Sequence, residues 1–127
     1  MRWRFRSWRA LFERPGTCEI FMIQIQVVPR TGHDAYKLLR SRVLHQAATW
    51  YFSNKKKTRL RHIQSEGHID IGNADGVLTA RVYPKEPKDI FYLAEKFMGR
   101  VVAWFSSEVA AINVQFVEDP PRRRKKR

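Results

Sequence analysis

The sequence predicts an α+β domain with the element order β-α-β-β-α-β, and three observations predict it. Two segments, 19–28 and 112–116, alternate apolar and polar residues; two longer segments repeat apolar residues at helical spacing; and an Asp-Gly turn joins two further alternating runs. That order is the split βαβ arrangement of ferredoxin-like domains. It implies a four-stranded antiparallel sheet in spatial order 4-1-3-2, with right-handed crossovers placing both helices on one face.

The first strand rests on Phe21, Ile23, Ile25 and Val27 alternating with Met22, Gln24 and Gln26, closed by Pro29. Thr31 or Asp34 then caps a helix whose apolar face is Tyr36, Leu39, Val43, Ala47 and Trp50, ending near Ser53 and Asn54. The stretch 55–66 fits a loop, a helical extension or a strand through Leu60 and Ile63, and is treated as a basic connector. Strand 67–72, turn 73–76 and strand 77–83 form a hairpin, because Asp75-Gly76 supplies residues that tolerate positive φ. Pro84 stops the hairpin and Pro87 suits a first helical turn. Ile90, Ala94, Phe97, Val101 and Phe105 make the second helical stripe. Gly99 within it costs about 1 kcal/mol in helix propensity, which close packing on the sheet would explain. The last strand alternates Ile112, Val114 and Phe116 with Asn113 and Gln115 before Pro120 and Pro121.

The face assignments agree between strands. If Phe21, Ile23, Ile25, Val27, Ile112, Val114 and Phe116 meet the helices, then Gln24, Gln26, Asn113 and Gln115 share the opposite, open face. In the hairpin, Ile69, Ile71, Leu78, Ala80 and Val82 point inward, and His68, Asp70, Thr79, Arg81 and Tyr83 point outward.

At 127 residues the chain has room for one core, and 43% hydrophobic composition is enough to build it. The expected division is a basic, aromatic N-terminal arm (1–18), the domain (19–119) and a disordered basic tail (120–127). A single cysteine, Cys18, permits neither an internal disulfide nor a cysteine-built zinc site, and with no 18-residue apolar run the sequence reads as a soluble, cytoplasmic protein.

Charge is the strongest functional indication. The net charge is +13, and nine of those thirteen charges fall in residues 1–19 and 120–127. Within 20–119 five cations cluster as Lys55, Lys56, Lys57, Arg59 and Arg61, leaving the remainder at −1. Clustered cations favour polyanionic partners. The expected phosphate-contacting set is therefore Lys55, Lys56, Lys57, Arg59, Arg61, Arg81 and the tail residues Arg122, Arg123, Arg124, Lys125, Lys126 and Arg127. The open face supplies a hydrogen-bonding or interface set of Gln24, Gln26, His68, Thr79, Tyr83, Asn113 and Gln115. The RNA recognition motif shares this strand order and stacks bases on aromatics of its first and third strands. Here only Tyr83 is outward on the third strand and Phe21 falls on the core side, so that family's sites are not carried across.

No nucleophile-base pair, phosphate-cradling glycine loop or zinc spacing is present; His62, Glu66, His68 and Asp70 match no metal pattern. No cofactor is expected. The sequence thus points to a small non-enzymatic protein associated with RNA or another single strand through its backbone. One alternative is a homo-oligomeric module using the open face or free edge strands; another is a small-ligand or enzyme site near His68, Asp70 and Asn73 to Asp75. The arm, with Trp3, Phe5, Trp8, Leu11 and Phe12 among Arg2, Arg4, Arg6 and Arg9, has the composition to touch an anionic membrane surface.

Overall fold

The computed structural model describes residues 19–119; the arm and the tail expected at 1–18 and 120–127 lie outside the described residues. The elements are β1 (Glu19–Pro29), α1 (Ala35–His45), β2 (Trp50–Phe52), β3 (Arg59–His62), β4 (His68–Ala74), β5 (Val77–Tyr83), α2 (Ile90–Phe105) and β6 (Val109–Asp119). Short 3-10 turns, Pro87–Asp89 and Ser106–Glu108, flank α2.

All six strands join one antiparallel sheet in the order β2-β3-β4-β5-β1-β6. The α+β class holds, but the expected count of four strands does not. The four anticipated strands lie side by side as β4-β5-β1-β6, and a β2-β3 hairpin extends the sheet beyond β4. That hairpin occupies the stretch treated as a connector, and it also shortens the first helix. α1 ends at His45, so Trp50 is on a strand rather than on the helical stripe. Trp50 is nevertheless buried, with its ring edge-on to His62 at 4.7 Å and to Phe97 at 6.2 Å. Pairing with β3 carries it into the core cluster.

Both helices touch each other and pack on the same sheet face. The α1 N-terminus is capped by Asp34, whose carboxylate accepts from the Lys37 amide at 3.0 Å. Ala35, Leu39 and Val43 on α1, and Ile90, Leu93, Ala94, Phe97, Val101 and Phe105 on α2, close over Ile23, Ile25, Val27, Leu60, Ile69, Leu78, Ala80 and Val82. At about 25 cal/mol per Å² of apolar surface removed from water, this cluster is the main term holding the fold.

Two side-chain expectations need correction. Phe21 was placed on the core side by strict alternation but is 45% exposed. The β1-β6 register shifts between Ile20 and Met22, and the extra residue interrupts the alternation there. Gly99 is exposed, and a Cβ built on it would meet nothing within 4 Å, so close packing does not explain it. Asp75 and Gly76 both take positive φ, as the hairpin turn requires.

Candidate polyanion-binding face

The extra hairpin changes what the open face contains. Straight across five strands, paired positions run Arg59, Asp70, Arg81, Gln24 and Gln115. The next row, two residues along, runs Gly72, Thr79, Gln26 and Asn113. On the other side of the arginine row His68 pairs with Tyr83, and Tyr51 of β2 pairs with Arg61. Side chains two apart along a strand share a face, so the face carries three arginines, two tyrosines, a histidine and four amides around one carboxylate.

Local interactions set how available each group is. Arg59 Nε donates to Asp70 Oδ1 at 3.2 Å in a partly exposed ion pair, and His68 Nε2 lies 3.7 Å from the same oxygen. The Arg61 guanidinium leans toward the Glu66 and Gly67 carbonyls at 3.4 and 3.5 Å. Arg81 is exposed and has no ion pair among the described residues. Burial pushes the His68 pKa below 6.5; Asp70 acts against that, and Arg59 and Arg61 act with it. The His68 and Tyr83 rings sit 5.3 Å apart at 34°, side by side on adjacent strands. The amides largely satisfy each other across β1 and β6: Gln24 donates to Gln115 at 3.2 Å, and Asn113 donates to Gln26 at 3.0 Å.

The three lysines form the turn between β2 and β3. Asn54 organises it, its Oδ1 accepting from the Thr58 and Arg59 amides at 3.0 Å each and its Nδ2 donating to Thr58 Oγ1 at 2.8 Å. Lys57 takes a left-handed conformation, with φ at 56°. Its carbonyl accepts from the Tyr36 hydroxyl at 2.9 Å, which ties the turn to α1. Lys55 and Lys56 remain exposed. The tail cations Arg122, Arg123, Arg124, Lys125, Lys126 and Arg127 lie outside the described residues.

Arg81, Tyr83, His68 and Thr79 lie outward as the pleat predicts, whereas Tyr51, and the meeting of Arg59 and Arg61 with Arg81 on one sheet face, come from the unexpected β2-β3 hairpin. The alternation Arg59-Leu60-Arg61-His62, exposed and buried by turns, was the available indication.

Among the described residues no group of three or more His, Cys, Asp and Glu side chains gathers as a metal site, and no helix is long and apolar enough to cross a membrane. No family model, no curated protein and no solved structure matches the chain.

Proposed function

We propose that this chain is a non-enzymatic binding protein for single-stranded nucleic acid, with Arg59, Arg61 and Arg81 contacting backbone phosphates across the open face. The scaffold is read as a ferredoxin-like core that the β2-β3 hairpin widens. Lys55, Lys56 and Lys57 extend the cationic surface from the hairpin turn, and the tail cations add sequence-independent affinity. The observation that carries this reading is the arginine cluster on this face: of Arg59, Arg61 and Arg81, only Arg59 is ion-paired to the one carboxylate there, Asp70, among the described residues. Exposed Tyr51 and half-buried Tyr83, beside His68, offer ring faces for unstacked bases. A sheet surface of this kind suits a splayed single strand, whereas reading duplex DNA requires an element that enters a groove. The open-face amides favour this reading over self-association through that face, because they already bond to one another.

The test is a fluorescence-anisotropy titration of the full chain against a labelled oligouridylate over a range of salt. At about 0.7 per phosphate contact on a single strand, replacing Arg59, Arg61 and Arg81 together by alanine lowers the log-log salt slope by up to about 2. An unchanged slope and affinity, in a variant whose circular dichroism matches the parent, refutes the proposal.

A further inference from the structure

The helix-side face of the sheet is buried row by row until it reaches β6. One row runs Leu60, Ile69, Val82, Ile23 and Phe116 across five strands. Its first four members are at most 1% exposed, whereas Phe116 is 54% exposed. The next row, Ile71, Ala80, Ile25 and Val114, ends the same way, with Val114 at 36%. Phe91 reaches the Phe116 ring at 6.0 Å, yet Val102 on the facing side of α2 stays 53% exposed. An apolar band therefore runs along the outer strand, where the helices end their cover.

The two edges of the sheet are built differently. β2 is three residues long and is followed by the lysine turn. β6 is eleven residues long, ends the strand order, and has neither a charge nor a proline from Val109 to Val117. Edge strands in soluble proteins are normally kept short or interrupted by charge or proline. Among the described residues no strand pairs with the outer side of β6, and a long uncharged edge whose backbone donors and acceptors are open is a pairing surface.

We infer that β6 pairs antiparallel with β6 of a second copy of this chain, centred on Val114, to form a two-fold dimer with one continuous twelve-stranded sheet. Directly opposed residues of an antiparallel pair share a face, so a strand paired with itself sets position i against position j only where i + j is even. Centring on Val114 sets that residue against itself and Ile112 against Phe116 of the second copy, which closes the apolar band. On the open face it sets Asn113 against Gln115, amide to amide. No like charges oppose each other within this register. The interface is isologous, as a closed dimer requires.

Sedimentation equilibrium of the full chain at about 100 μM, a concentration that populates weak dimers, is expected to give double the 15.1 kDa chain mass. Val114→Lys, at a position open enough to keep the fold, is expected to return it to single mass. Register is read by disulfide trapping in a Cys18→Ser background: Val114→Cys cross-links to itself, and Ile112→Cys cross-links to Phe116→Cys when the two chains are mixed. A full chain that stays single at that concentration, whether its own residues 1–18 or nothing covers the edge, overturns the inference. A dimer that survives Val114→Lys, or that traps without this pairing, also overturns it. None of these readouts depends on nucleic-acid binding.

Discussion

Arg59 and Asp70 face each other across β3 and β4 with Nε and Oδ1 3.2 Å apart, and Arg81 stands opposite Asp70 on its other side with no ion pair among the described residues. Asp70 therefore holds down the cationic potential at the centre of the arginine row. Both partners of the ion pair are well exposed, so its contribution to stability is at most about 1 kcal/mol. Asp70→Asn is expected to leave the fold intact and to tighten single-strand binding. Removing one charge a few ångströms from a phosphate in water is worth about 1 kcal/mol, roughly fivefold in affinity. Anisotropy at fixed salt measures it. If Asp70 instead served a ligand or catalytic site near the hairpin, the same substitution would weaken binding or abolish activity.

A second prediction concerns acid stability. His62 is 5% exposed; its Nδ1 accepts from the Gln64 amide at 3.1 Å and its ring packs against Trp50 and Tyr92. That acceptor role requires the neutral ring. Burial lowers its pKa from 6.5, and Lys96 lowers it further. The unfolded chain then binds a proton near pH 6.5 that the folded chain refuses. Stability is full above that pH and falls as pH drops below it, until the folded-state ring also protonates. His68 is shifted in the same direction and adds to the fall. Urea denaturation at pH 7.5, 6.5 and 5.5 is expected to show this loss, and His62→Asn, which keeps an acceptor for Gln64, is expected to reduce it. Equal losses in parent and variant would assign the acid sensitivity elsewhere.

The two β-strands and the hairpin that dominate the sheet were legible because each alternates over at least five residues and is closed in the sequence by Pro29, Pro120-Pro121, or Asp75-Gly76 with Pro84. β2 was not, for a physical reason. Trp50 sits at helical spacing from Leu39, Val43 and Ala47, no glycine or proline stops the helix after His45, and three residues are too few to establish a period of two. What ends α1 is the pairing of Trp50, Tyr51 and Phe52 with β3, a tertiary contact that local pattern does not encode. The candidate face inherits that blind spot. Its hairpin half was readable from the pleat, whereas Tyr51, Arg59 and Arg61 reached it through strands the pattern left open. Phe116 is the converse case: its side of the sheet was right, but the extent of helix cover depends on where α2 crosses.

Gly99 within α2 and Gly67 just before β4 give a paired prediction of opposite sign. Gly99 lies in the helix with open space where a Cβ would go, so Gly99→Ala removes the propensity penalty without a clash. The gain is about 1 kcal/mol, a rise of several degrees in Tm for a domain near 100 residues. Gly67 precedes β4 in a buried position, where a Cβ would fall 2.7 Å from the Pro84 Cα and closer still to the Tyr83 carbonyl oxygen. Those are backbone atoms at the end of β5, and relieving the contact means separating β4 from β5 beside the His68-Tyr83 pair. Gly67→Ala is expected to cost about 1–3 kcal/mol, as overpacked sites do, and to weaken single-strand binding by moving Tyr83. Thermal denaturation of both variants decides it: a destabilised Gly99→Ala would mean that helix face is covered, and a neutral Gly67→Ala would mean the β4-β5 junction yields more easily than its contacts imply.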